Sequence, residues 1–207
     1  FRLGAYAYQK LADHGYLVTV IGGGSTESSL EGTTAFGGST DSNIDSSDWF
    51  ARIEGGYTVH TDGFQITPFV GSQYTKVNID GVTEKSDSVF ALQLGDGSGD
   101  RVEGFVGLEI SRPWISNEKI EVTPYGRLTL LHMLQEDNPS ITATLNRGTG
   151  PSFTYVSPIP NSDGIEYGLG VRVTGKESSL GLVLGYTGFS ADDYETHQGN
   201  VGVSVDL

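Results

Sequence analysis

Asn200-Val-Gly-Val-Ser-Val-Asp-Leu207 closes the chain in strict alternation. The apolar residues at 201, 203, 205 and 207 point to one side of an extended strand, and the small or polar residues between them point to the other. The chain end of a soluble domain usually frays. An alternating apolar end instead predicts a strand that lipid covers and that an assembly machinery recognises.

The same period of two continues through the rest of the chain. Residues 49–59, 102–110, 120–134 and 165–173 each place apolar side chains on one face and charged or polar side chains on the other. Residues 64–80 form a candidate strand of about seventeen residues, far longer than the usual five or six. The pattern predicts about nine long strands, and no segment predicts a convincing helix.

Composition limits the class of protein. Hydrophobic residues make up 36% of the 207 residues, so the chain has no apolar run long enough for a transmembrane helix. A transmembrane barrel remains compatible, since its strands alternate and its mean hydropathy resembles that of a soluble protein. The absence of cysteine removes disulfide and zinc-thiolate sites, and the net charge of −14 argues against nucleic acid as a partner.

Turn lengths add a second regularity. Short turns at 60–63, 113–119 and 175–178 alternate with longer loops, predicted at 25–45, 81–86, 135–163 and 188–196. Outer-membrane barrels have short periplasmic turns and longer extracellular loops. The expected fold is therefore an all-β, antiparallel transmembrane barrel, with a soluble β-sandwich as the alternative.

In such a barrel, the two faces of each strand have different solvents. Charges at strand centres are predicted to face the lumen: Arg52, Glu54, Glu103, Glu109, Glu121, Arg127, Glu166 and Arg172. Aromatic residues near strand ends on the apolar face are predicted to form an interfacial girdle: Trp49, Tyr57, Tyr74, Trp114, Tyr167, Tyr186 and Phe189.

Several segments together resemble the C-terminal β-domain of autotransporters. They are Gly55-Gly-Tyr57, Phe64-Gln-Ile-Thr-Pro68, the segment 77–85, Trp114 followed by Thr123-Pro124-Tyr125, Gly185-Tyr186 and His197. The pair Glu84-Lys85, residues 91–94 and the loop 153–160 are most similar to autotransporters with a GDSL-type esterase or lipase passenger.

The resemblance implies a twelve-stranded barrel, with a helix in the pore that leads to a secreted passenger. Three strands and that helix would then precede Phe1, which agrees with the odd strand count, and residues 1–207 would be one incomplete barrel domain. The family's terminal assembly signal maps onto Asn200, Gly202, Val205 and Leu207. Leu207 departs from the family's usual terminal aromatic residue.

No catalytic site is expected in this chain. Gly95-Asp-Gly-Ser98 matches a GDSL motif in letters only, because no strand-to-helix elbow is predicted there. Asp41-Ser-Asn-Ile-Asp45 and the stretch 96–100 have calcium-like spacing but lack the later bidentate glutamate. We therefore expect polar loops there, and no metal or cofactor.

These features predict an outer-membrane translocator and anchor domain in a Gram-negative bacterium. Its expected partners are membrane lipid, the barrel assembly machinery, and its own upstream passenger and linker helix. A secreted β-sandwich that binds a surface ligand, and a stand-alone outer-membrane porin or enzyme, are the alternatives.

Overall fold

The protein forms one long antiparallel sheet and one small second sheet. The computed structural model describes residues 1–33, 39–85, 91–138, 140–156, 163–177, 180–191 and 194–205. The elements are β1 (Arg2–Leu11), β2 (Gly15–Thr33), β3 (Ser39–Tyr57), β4 (Val59–Thr61), β5 (Phe64–Ile79), β6 (Val82–Thr83), β7 (Gln93–Leu94), β8 (Gly97–Ser111), β9 (Ile115–Ser116), β10 (Ile120–Asp137), β11 (Ser140–Thr144), α1 (Leu145–Gly148), β12 (Ser152–Val156), β13 (Gly164–Gly175), β14 (Leu180–Ala191) and β15 (Tyr194–Val205).

Nine long strands follow one another in the main sheet. Their order is β1-β2-β3-β5-β8-β10-β13-β14-β15, and every neighbouring pair is antiparallel. The short strands β4 and β9 pair with β5 and β10. The expected number of long strands is confirmed for the described residues. Among them each long strand lies beside the one before it, without a crossover. In the part of the chain that the structure describes, β1 and β15 form the two edges and do not pair with each other.

Each strand has an exposed apolar face and a more enclosed face. On β8, Phe105 is 4% exposed, whereas the next residue, Val106, is 53% exposed. Leu108 and Ile110 continue the exposed row, and Glu109 continues the enclosed one. This inverts the pattern of a soluble sheet, in which the apolar side is the covered side.

Aromatic rings on the enclosed face lie over glycines of the neighbouring strand. Phe69 on β5 pairs with Gly107 on β8, and Phe105 on β8 pairs with Gly71 on β5. A Cβ atom added at Gly107 would meet the Phe69 ring and the Leu128 carbonyl oxygen. The reciprocal placement lets two rings pack on adjacent strands without separating the backbones.

A second, four-stranded sheet is built from the long connections, in the order β12-β11-β7-β6. A reciprocal pair of backbone hydrogen bonds between Asp41 and Lys85 joins this region to β3. Ile141 of β11 packs against Gly97, on the face of β8 that also carries Phe105. The segments 81–86 and 135–163, predicted as loops, therefore contain short strands and the single turn of α1.

Two other loop predictions are wrong. Residues 25–33 and 39–45 extend β2 and β3 as a paired hairpin, and β14 and β15 pair up to Ala191 and Tyr194 within the predicted loop 188–196. Alternation reports that one face of a strand is buried or lipid-covered. Strand ends with two polar faces show no alternation, although their backbones pair as well as any others.

No helix among the described residues has the length and apolarity needed to cross a membrane.

Replacing Gly107 with alanine should destabilise the sheet by about 1–3 kcal/mol, because the added methyl group meets both a packed ring and a backbone oxygen. The measurement is the temperature at which the detergent-solubilised protein loses its folded gel mobility. Gly126→Ala is the matched control, since its Cβ would make only ordinary contact, 3.5 Å from Leu169 Cδ2. Equal stability of the two variants would contradict the packing argument.

Candidate functional site

The enclosed face gathers the charges that were predicted to face the lumen. Arg52 and Glu54 lie on β3, Glu103 and Glu109 on β8, Glu121 and Arg127 on β10, and Glu166 and Arg172 on β13. Register places them together: Glu109 is directly opposite Arg127, and Glu166 is opposite the buried Thr129.

Five of these side chains form a continuous series of alternating charge, Arg52–Glu54–Arg127–Glu109–Arg172, which we call the arginine chain. Glu54 Oε2 lies 3.0 Å from Arg52 Nη2 and 2.5 Å from Arg127 Nη2. Glu109 Oε2 lies 3.8 Å from Arg127 Nη1, and Glu109 Oε1 lies 2.9 Å from Arg172 Nη1. Each carboxylate is thus shared between two guanidinium groups.

Every arginine of this chain also lies over an aromatic ring. Arg127 is 3.7 Å from the Phe69 ring centroid, and Arg172 is 4.2 Å from that of Tyr125. Arg52 lies 3.9 Å from the centroid of Phe105. A guanidinium held between a ring face and a carboxylate gains cation–π attraction as well as charge-assisted hydrogen bonds.

Glu54 is the most enclosed member of the arginine chain, at 6% exposed. Besides the two arginines, it accepts a hydrogen bond of 2.9 Å from the Tyr16 hydroxyl on β2. Three donors from different positions hold its carboxylate, which compensates for the cost of removing the charge from water. Sequence reasoning missed Tyr16, because the alternation of β2 is too weak to assign its faces.

The contact between Glu54 and Arg127 shows that the sheet is curled. Their strands, β3 and β10, are separated by β5 and β8, a distance of roughly 14 Å along a flat sheet at about 4.8 Å per strand. The two side chains meet only if the enclosed face is concave. The charges therefore line the inside of the curl, and the apolar rows lie outside.

The other predicted lumen residues lie near this network without joining it. Glu103 lies 3.6 Å from Arg101 on its own strand. Glu121 accepts hydrogen bonds from Ser116 and Thr123 near the β8–β10 turn. For Glu166, the structure shows the inward position opposite Thr129.

The predicted girdle residues lie on the outer face at two levels, with one exception. Trp49 packs with Tyr74 at 5.0 Å between ring centroids, and Tyr167 packs with Tyr186 at 6.4 Å, both towards the end with the long connections. Tyr57 lies at the opposite end of β3 from Trp49, eight residues or about 26 Å along the strand.

Trp114 lies in the β8–β10 turn, at the same end as Tyr57, and is 79% exposed. A strand tilt of about 35–45° reduces the spacing of the two levels to roughly 20 Å along the barrel axis, shorter than the apolar band of about 25 Å on outer-membrane barrels. The girdle stays a prediction. Phe189 was assigned to the wrong face: it faces inward, where its ring covers Gly164 and packs with Tyr194. Phe189 lies three residues after Tyr186, so its side chain points to the opposite face of the strand.

The final strand, β15, pairs with β14 over its whole described length. Asn200 Nδ2 lies 3.4 Å from the Thr187 hydroxyl, and Gly202 lies against Val183. Val201 and Val203 point outward and are more than 70% exposed. Val205 is paired through its backbone with Leu180, and Leu207 is outside the described residues. The proposed assembly signal stays a prediction.

The described residues contain no cluster of three or more histidine, cysteine, aspartate or glutamate side chains arranged to hold a metal ion. Asp41 and Asp45, from the calcium-like stretch, belong to β3 and pair with β2. A paired strand holds these carboxylates about 13 Å apart along the chain, whereas a binding loop would wrap them around one ion.

The geometry is a curled antiparallel sheet with an apolar exterior and a charged interior. The family model described as autotransporter beta-domain matches residues 1–187. The chain belongs to this family. Among solved structures, the translocator domain of the autotransporter NalP from Neisseria meningitidis is similar, with a TM-score of 0.70 and 20% identity over 99% of this chain and 65% of that chain. No curated protein matches this chain.

Family membership indicates the cellular location and the general role of the β-domain. It is an outer-membrane β-barrel of a Gram-negative bacterium and acts as a translocator domain, which is a transport role. The soluble-sandwich alternative gives way to this assignment. The chain spans about 65% of the matched NalP domain.

Removing the Tyr16 hydroxyl in Tyr16→Phe should lower the free energy of unfolding by about 1.5–3 kcal/mol, since the Glu54 carboxylate loses a donor. Urea or heat titration of the folded fraction on gels is the measurement. Tyr6→Phe is the control, because Tyr6 is 67% exposed. A loss in Tyr6→Phe as large as in Tyr16→Phe would refute the assigned hydrogen bond.

Asp163 ties the end of β10 to the start of β13. Its carboxylate accepts a 2.6 Å hydrogen bond from the Met133 N–H and lies 2.9 Å from His132 Nδ1. These contacts hold the pKa of the Asp163 carboxyl below its ordinary value of 3.8. A lowered folded-state pKa stabilises the fold above the unfolded-state value, and this stabilisation is lost as the pH falls through the folded-state value.

Asp163→Asn should therefore increase hydrogen exchange at the β10–β13 junction at pH 7, and the difference from the wild type should shrink as the pH falls below 3.8. Mass-spectrometric exchange of peptides covering the junction measures this. Asp137→Asn, at the same end of β10, controls for lost surface charge. A difference that persists unchanged in acid would contradict the linkage.

Proposed function

We propose that this β-domain is the incomplete C-terminal barrel of an autotransporter that secretes and displays an upstream passenger. The observation that supports this proposal is an open sheet of nine long strands with a charged inner face. Because the number of strands is odd and the sheet is open, further strands are needed to close a barrel. The 65% coverage of the NalP domain supports three missing strands before Phe1. Those strands would fill the gap between β1 and β15.

The inner face suits a polypeptide in transit. Its glycines and polar side chains leave room, and most of its charges are already paired with each other. A linker helix that leads to the passenger would lie against this face. The barrel assembly machinery would recognise the end of β15 through Asn200, Gly202, Val205 and Leu207.

The passenger that we propose is a GDSL-type esterase. The support is the resemblance at Glu84-Lys85, at residues 91–94 and in the loop 153–160. The nucleophile would then lie upstream of this chain. Ser98 is not that nucleophile, because it stands in β8, paired with Asn78, without a strand-to-helix elbow.

Full-length protein expressed in a Gram-negative host should fractionate with the outer membrane, dissolve only in detergent, and migrate faster on gels before boiling than after. It should also present its N-terminal part to protease added outside the cell. Recovery in the soluble periplasm would refute the barrel, and a folded barrel with no protease-accessible upstream part would refute the display role.

For the passenger, intact cells should hydrolyse a short-chain ester, and Ser98→Ala should leave this activity unchanged. Loss of hydrolysis in Ser98→Ala, with surface display intact, would place catalysis in this chain. Displayed protein without hydrolysis would refute the esterase passenger and leave the translocator role standing.

A further inference from the structure

The arginine chain stands away from the sheet wall. The rings of Phe69 and Phe105 rise from β5 and β8, and Arg127 and Arg52 lie on top of them at 3.7 and 3.9 Å. The lining at this level is therefore two side chains thick. The Phe69 ring covers Gly107 on β8 and Arg127 covers the ring, so the arginine chain narrows the interior at this level.

Two links of the chain pass in front of other strands. Glu54 and Arg127 meet in front of two intervening strands, and Glu109 and Arg172 meet in front of one, β10. Arg52–Glu54 lies within one strand, and Arg127–Glu109 joins neighbours. Among the ion pairs of the arginine chain, Glu54–Arg127 is therefore the longest chord across the curl. Opening it would let Arg127 fall back towards β10 and would widen the interior.

Both partners of this link have a substitute close by. Arg127 has a second carboxylate, Glu109, at 3.8 Å. Glu54 keeps Arg52 at 3.0 Å and the Tyr16 hydroxyl at 2.9 Å. Breaking a buried ion pair is costly when it leaves a charge without a partner. Opening the Glu54–Arg127 link leaves neither charge without a partner, so the free-energy cost of opening is small.

We propose that the Glu54–Arg127 link is a latch that keeps the lumen narrow and opens when a polypeptide occupies the lumen. Opening transfers Arg127 to Glu109 and leaves Glu54 with Arg52. The arginine chain then no longer crosses the two strands between β3 and β10. This inference rests on the proposed translocation of a polypeptide through the barrel.

Single-channel conductance of the full-length protein in planar lipid bilayers tests the latch. Glu54→Asp shortens the side chain by one methylene and keeps its charge, so the chord cannot close while the lumen charge is unchanged. Conductance should rise about two-fold, because conduction follows pore diameter and lining. Glu103→Asp is the matched control, since its partner Arg101 lies on the same strand, and conductance should stay at the wild-type value.

A double-mutant cycle with neutral side chains keeps the test decisive if a single variant folds poorly. Glu54→Gln and Arg127→Gln should each raise the conductance, and the double variant should raise it no further than the larger single effect, because all three remove the same link. Coupling between residues three strands apart requires direct contact. Additive effects in the double variant, or unchanged conductance in folded Glu54→Asp, would overturn the latch.

Different measurements would refute the latch and the proposed function. Conductance reports the latch whether or not a passenger is present. Surface display of the upstream part reports translocation, and wild-type protein without display would refute translocation even if the conductance results held.

Discussion

The structure depends on one constraint: every backbone N–H and C=O group in contact with lipid must find its partner inside the protein. Antiparallel ladders between sequential strands meet this need, and each of the nine long strands pairs along most of its length. The outer side chains are then free to be apolar and exposed, as Val106 and Leu169 are. The same constraint explains why an open nine-stranded sheet needs further strands to close.

Because lipid takes the apolar side chains, the interior must be stabilised in another way. A soluble protein packs an apolar core, whereas this β-domain places guanidinium groups between carboxylates and aromatic rings. Aromatic rings that lie over glycines fill the space between these guanidinium groups and the sheet, as Phe69 does over Gly107. The arginine chain supports the curl and at the same time presents a polar surface, so the same side chains stabilise the sheet and line the enclosed space.

Much of the fold could be predicted because alternation records which solvent each face meets. The faces of residues 49–59 and 102–110 and the number of long strands were all readable in this way. The prediction failed for residues 25–45, where both faces are polar and the period of two disappears although β2 and β3 pair. It also failed for Phe189, because an aromatic residue near a strand end can serve either the girdle or the interior.

The sequence by itself determined the class, an antiparallel outer-membrane barrel, since the period of two depends only on the order of residues along each strand. It also predicted that Arg52, Glu54, Arg127 and Arg172 face the lumen. Only the tertiary structure decided which of them touch. Glu54 and Arg127 are 73 residues apart in the chain and three strands apart in the sheet, and the curl brings them together. Pattern within a strand contains no information about curvature, because curvature arises from packing between strands.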